Sequence, residues 1–336
     1  MQFQVLKMEK NNINLTDLEN CKKLVEKCRE EAKKRLVGQE YLVDGILTAF
    51  VAGGHVLLEG VPGLAKTLAV KTFAEISGLD FKRIQFTPDL LPADVSGTLI
   101  YEQSRGTFSV RKGPVFTNIV LADEINRAPC KVQSAMLEAM EEKQVTIGED
   151  THKLPEPFFV LATQNPIEQE GTYNLPEAEL DRFLLKLNVT YPTAEEEIQI
   201  VKTQGSASRI PVTQVLTAQD LLKFREMNEQ ISCDDKIVEY IVQIITVTRP
   251  NLKKKTEHDI TRYITFGASP RAGIAMLQCA KATALLAGRS YVLPEDVKKV
   301  APMVLRHRIV LSYEAAADSI SADDIIAKIL DFIPVP

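Results

Sequence analysis

The chain has 336 residues, 45% apolar and 25% charged, the composition of a soluble globular protein long enough for two domains, each with its own core. A net charge of −5 argues against tight sequence-independent nucleic-acid binding. No apolar run approaches the ~20 residues that cross a bilayer, and five cysteines without a C-x-x-C spacing indicate neither a disulfide framework nor a zinc site.

Met1 to Asn12 is polar and has no signal-peptide core, so a cytoplasmic location is expected. Thr16 and Glu19 form a capping box for a first helix towards Arg35. Its apolar stripe is Leu18, Cys21, Val25, Cys28, Ala32 and Leu36, which makes both cysteines buried thiols rather than ligands. The four histidines, His55, His152, His258 and His307, are too scattered for a metal cluster. Val37-Gly38-Gln39-Glu40 leads into a second helix through Phe50.

Five short apolar runs follow: 55–59, 81–86, 118–123, 158–163 and 183–189. Helical patterns at Thr67–Ser77 and Cys130–Glu142 lie among them, and such alternation predicts a parallel sheet covered on both faces. Two β-hairpins interrupt it, one turning at Ser104-Arg105-Gly106 and one at Gly148-Glu149-Asp150. They are either contact devices or edge decoration.

After Tyr191-Pro192-Thr193 the strand signal ends, with helices expected at 218–230, 234–248, 270–287, 294–309 and 322–332. Thr217 with Asp220, and Ser321, are the expected N-caps. The Lys253-Lys254-Lys255 run reads as a solvated loop. The divisions are residues 1–35 as an N-terminal helix, 36–195 as an α/β nucleotide-binding core, and 196–336 as an all-helical lid with a C-terminal helix.

The chemistry lies in the core. Gly60-Val61-Pro62-Gly63-Leu64-Ala65-Lys66-Thr67-Leu68 follows an apolar strand and opens a helix, the order in which a protein holds a nucleotide triphosphate. Backbone N–H groups curl around phosphate, Lys66 reaches the β/γ-phosphates and the Thr67 hydroxyl holds Mg²⁺. Ala65 stands where the general pattern has its second glycine, and is expected to keep right-handed helical φ/ψ. Asp123 and Glu124 end the third apolar run; Asp123 suits the Mg²⁺ shell, and Glu124 can accept a proton from an attacking water. Asn165 ends the fourth run, beside Glu124, where its amide could orient that water or simply form an Asn-Pro turn.

With these elements in order, the chain resembles the MoxR family of AAA+ ATPases. The match is carried by Val37-Gly38-Gln39, the phosphate loop, Asp123-Glu124-Ile125-Asn126-Arg127-Ala128, Ala162-Thr163-Gln164-Asn165-Pro166, Leu180-Asp181-Arg182-Phe183 and Ser269-Pro270-Arg271. It runs from Leu36 to Ile309, and Ala65 fits this family's version of the loop. The resemblance implies a P-loop NTPase of the AAA+ type, with a five-stranded α/β core and a helical lid. It also implies ATP and Mg²⁺ as ligands, a homo-oligomeric hexameric ring, and chaperone-like remodelling of protein clients carrying von Willebrand A domains.

By position, the resemblance makes Lys66 and Thr67 the Walker A pair, Asp123 and Glu124 the Walker B pair, and Asn165 sensor 1. Arg271 becomes sensor 2 and Arg182 an arginine finger for a neighbouring subunit, while Val37 and Gly38 line the adenine pocket. Arg182 could instead make a surface ion pair, Arg127 could compete for the finger role, and Arg271 could act in cis or in trans. Three other readings fit less well: a nucleotide-gated binding module with little turnover, a small-molecule kinase, and a DNA-acting motor.

Overall fold

The computed structural model describes residues 13–61, 63–104, 106–166, 171–204, 210–250 and 260–336; the side chains of Thr203, Gln204 and Ile260 are not described. Met1 to Asn12, Pro62, Arg105, Gly205, the Lys253-Lys254-Lys255 run and His258 lie outside these residues.

Helix α1 (Leu15–Lys33) precedes α2 (Glu40–Ala52), strand β1 (Val56–Glu59), α3 (Lys66–Ser77), β2 (Phe81–Gln85) and the short α4 (Pro92–Ser96). Then come β3 (Gly97–Glu102), β4 (Thr107–Lys112), β5 (Ile119–Asp123), α5 (Cys130–Glu142), β6 (Gln144–Ile147), β7 (Asp150–Lys153) and β8 (Phe159–Gln164). The core closes with α6 (Glu177–Leu180) and β9 (Leu185–Asn188).

Strands β2, β5, β8, β1 and β9 form one five-stranded sheet in that order, and every pairing is parallel. Adjacent residues of a strand serve opposite faces. Val56 and Leu58 of β1 join a core built with α1, α2 and α3, whereas Leu57 joins a second core against Val132, Met136 and Leu137 of α5. The expected hairpins are β3–β4 and β6–β7, both antiparallel. Strand β2 departs from the apolar reading: it is an edge strand with Lys82 and Arg83 exposed.

The second part of the chain contains α7 (Ala194–Gln204), α8 (Ala218–Gln230), α9 (Asp235–Val247), α10 (Pro270–Leu286), α11 (Pro294–Leu305), α12 (Tyr313–Ala317) and α13 (Ala322–Phe332). It is not all helical. Strands β10 (Ile264–Phe266) and β11 (Val310–Leu311) pair antiparallel, so the helix expected through Ile309 stops at Leu305. Helix α10 packs against α2, and α11 against β9, and lid and sheet share one continuous hydrophobic cluster.

The α1 stripe is buried as expected, from Leu18 to Leu36. Its cap is different: Asn14 Oδ1 accepts the Thr16 N–H at 3.0 Å, and Asn14, not Thr16, is the N-cap. No helix of the described residues is long and apolar enough to cross a membrane.

Candidate nucleotide site

A cavity of about 270 Å³ is lined by Gly63, Leu64, Ala65, Lys66, Thr67, Leu68, Asp123, Glu124, Thr163 and Asn165. Parallel pairing assembles it. β1, β5 and β8 run the same way, so the loop after β1 and the last residues of β5 and β8 meet at one edge.

The α3 N-terminus faces the cavity and has no side-chain cap, so its first N–H groups lack intrahelical partners. Such an end attracts phosphate. Gly63 has φ 86° and nothing within 4 Å of an added β-carbon, so the loop backbone is open on that side. Gly60 is required for a different reason: a β-carbon there would come 2.7 Å from the Val189 carbonyl oxygen. Lys66 Nζ donates to the Gly60 carbonyl and approaches the Gln164 carbonyl at 3.5 Å, which holds the ammonium at the loop.

Ala65 corrects the expectation of right-handed geometry: its φ/ψ of 54°/13° is left-handed. The loop must reverse direction into α3 within one residue, and the backbone does so at Ala65 despite the methyl group. Glu124 is left-handed too, at 56°/50°, so two non-glycine residues of this cavity are strained.

Asp123 is buried, and its two oxygens have separate partners. Oδ1 accepts the Thr163 hydroxyl at 2.6 Å, while Oδ2 accepts Arg83 Nε at 2.8 Å and lies 2.7 Å from Arg83 Nη2. Thr163 Oγ1 in turn accepts the Glu124 N–H at 2.8 Å, which ties the strained residue after β5 to β8. Glu124 Oε2 accepts Gln85 Nε2 at 2.8 Å and Arg127 Nη1 at 3.1 Å. Arg127 therefore pairs with the acid of its own chain.

Arg83, Gln85 and Thr163 were not foreseen. Gln85 is in register with Asp123, but that register follows from β2 pairing with β5, which no local pattern announces. The acidic pair, the Thr67 hydroxyl and Lys66 fit a magnesium–triphosphate ligand: hard oxygen donors suit Mg²⁺, and N–H donors and Lys66 suit phosphate.

The remaining described candidates are not among the residues that line this cavity. Gly60 and Val61 lead into it, and Pro62 is outside the described residues. Val37 is half-buried and Gly38 exposed, with φ 71° and the Glu196 carboxylate where a side chain would stand (2.1 Å). Arg182 donates to the Leu137 carbonyl at 3.2 Å and pairs with Glu141. It borders a larger cavity, about 470 Å³, whose Glu138, Glu141, Glu142 and Glu179 would repel a triphosphate. Arg271 is 68% exposed and lies 3.9 Å from Asp181 Oδ2.

Residues 55–185 match the ATPase family associated with various cellular activities (AAA), and residues 256–329 match the AAA lid domain. The chain is 49% identical to Chaperone MoxR1 of Mycobacterium tuberculosis, over 91% of this chain and 81% of that protein. It is 45% identical to the uncharacterized protein YeaC of Bacillus subtilis, over 93% and 95% of the two chains. It is 30% identical to Protein MoxR of Methylorubrum extorquens, over 91% and 93%. The crystal structure of a candidate ATPase from Cytophaga hutchinsonii superposes with a TM-score of 0.88 at 46% identity, covering 96% of this chain and 97% of the other.

Proposed function

Because the chain belongs to the MoxR family of AAA+ ATPases, we propose that it hydrolyses ATP with Mg²⁺ at the carboxyl edge of its sheet, as a cytoplasmic hexameric ring that remodels protein partners. One observation carries this reading: a single cavity is lined by an uncapped helix N-terminus with Lys66 and Thr67, by two adjacent carboxylates and by a buried amide. The client class that the resemblance implies is a protein with a von Willebrand A domain. The domain limits that go with this reading are residues 1–35, 36–195 and 196–336.

The α3 N–H groups and Lys66 bind and orient the phosphates, and Val37 and Gly38 border the base. Thr67 and Asp123 would hold the ion, which would supply charge neutralisation for the phosphates. Glu124 takes the proton of the attacking water, a role contributing about 10²–10⁴ in rate. Asn165 orients that water, and Arg271 reaches the phosphates from the lid. Arg182 lies outside its own protomer's cavity, which is what a finger lent to a neighbour requires; such a finger is worth about 10³–10⁵ in kcat.

The test is phosphate release as a function of protein concentration, with ATP binding by calorimetry in parallel. The rate per protomer should rise with concentration as rings form. Glu124→Gln should bind ATP·Mg²⁺ and lose at least about 100-fold in turnover. Equal turnover in the two proteins removes Glu124 from the mechanism. Tight binding with negligible turnover in the unsubstituted protein leaves a nucleotide-gated binding module.

A further inference from the structure

The turn that carries Arg182 is held by the lid of the same chain. Arg308, three residues beyond α11, has a side chain only 4% exposed. Its Nε donates to Asp181 Oδ1 at 2.6 Å, and its Nη2 donates to the carbonyls of Asp181 at 3.2 Å and Phe183 at 2.7 Å. Nη1 donates to the Leu184 carbonyl at 3.1 Å and to the Val304 carbonyl at 2.7 Å, anchoring the fork on its own helix.

His307 adds a bond to the Phe183 carbonyl at 2.9 Å; a carbonyl only accepts, so Nε2 carries the proton. Arg306 Nη1 donates to the Lys186 carbonyl at 3.1 Å. Three consecutive lid side chains thus reach the chain from Asp181 to Lys186. Ser269 and Arg271, at the start of α10, also approach Asp181 Oδ2, at 3.5 and 3.9 Å. Arg182 itself makes none of these contacts; its guanidinium turns the other way, to Leu137 and Glu141.

A planar guanidinium sharing five donors among five acceptors has one orientation that satisfies them all. In a buried setting each unmet group is costly, so the turn follows Arg308 rather than separating from it. We propose that Arg308, assisted by His307, is a positioning residue: it ties the placement of Arg182 to the lid of its own protomer, so that the lid of one subunit sets the finger offered to the next. This rests on the reading of Arg182 as a finger acting in trans.

The experiment uses full-length chains in mixed assemblies. Lys66→Ala subunits lack a working nucleotide site but keep Arg182, and Arg182→Ala subunits lack the finger but keep the site. Their mixture should recover turnover that neither has alone. Arg308→Lys keeps a cation for Asp181 but cannot span the carbonyls. Placed in the Lys66→Ala donor, it should lower the recovered rate at least about ten-fold, since ångström-scale misplacement costs up to about 100-fold. Placed in the Arg182→Ala acceptor, it should change the rate less than about two-fold.

Equal loss from both placements means a structural role and overturns the proposal, as does loss from neither or from the acceptor alone. No recovery in the parent mixture instead removes Arg182 as a trans finger, and this inference with it. Melting curves check folding. If Arg308→Lys does not fold, the same split is read with His307→Leu, whose single lost bond should give about three-fold on the donor side only. His307→Gln, which keeps an N–H donor, should restore the rate.

Discussion

Ala65 sits at φ 54°, where the β-carbon of an L-residue crowds the following carbonyl, at a cost of about 1–2 kcal/mol. Glycine would remove that strain but adds unfolded-chain entropy worth about 0.5–1 kcal/mol. The strain is the larger of the two, so Ala65→Gly should raise stability by up to about 1 kcal/mol. Ala65→Val should lower it, because a β-branched residue tolerates this region worse. Urea unfolding midpoints of the two variants decide the point, and a loss from the glycine variant would mean the loop is not strained there. Glu124 shares the strained geometry, and its backbone is held by the Thr163 hydroxyl from the next strand. A carboxylate aimed into the cavity by a strained residue is therefore a product of the sheet, not of its own sequence.

At the scale of the element, α1 shows how a local signal can be right about a helix and wrong about its cap. Thr16 with Glu19 has the spacing of a capping box, but Asn14 two residues earlier offers an amide oxygen that accepts the Thr16 N–H, and the helix begins at Leu15. Asn14→Ala should cost about 1 kcal/mol, and Thr16→Ala a few tenths at most; thermal melts of both variants test this, and the reverse order would restore Thr16 as the cap. The buried stripe of α1 lies against α2, α3 and α10, and burial pushes the Cys21 and Cys28 thiols up to about 12, so both stay protonated. Strand β2 shows the converse. At a sheet edge its Arg83 and Gln85 stay polar and meet Asp123 and Glu124, chemistry that an apolar reading of the run concealed.

For the whole molecule, two buried histidines join distant parts. His55, one residue before β1, accepts the Val160 N–H at 3.0 Å on Nδ1 and bonds the Met140 carbonyl at 3.1 Å through Nε2. Burial lowers its pKa to about 4, and His307 is lowered well below its ordinary value by burial and by Arg308. The unfolded chain takes up a proton below about 6.5, where the folded chain refuses it, so stability falls as pH drops from 6.5 towards 4. By pH 5, His55 alone should account for about 2 kcal/mol of lost stability, with His307 adding in the same direction. Carboxylates titrate mostly below this window, so a melting temperature unchanged between pH 6.5 and 5 would contradict the burial of both rings.

The order of glycine loop, lysine, hydroxyl, acidic pair and amide was readable along the chain, because each motif is local: a strand end and the few residues after it. The five parallel strands and most helices were readable for the same reason, since periodicity and caps act within a turn or two. Sequence also placed Arg182 and Arg271 as candidates, though not where their side chains go. That Arg83 would meet Asp123 across 40 positions, that Arg308 would grip Asp181 across 127, and that two short strands would interrupt the lid depended on tertiary structure. Those partners are set by strand order and by the docking of α10 and α11 onto the core, contacts among residues with no local signature of each other.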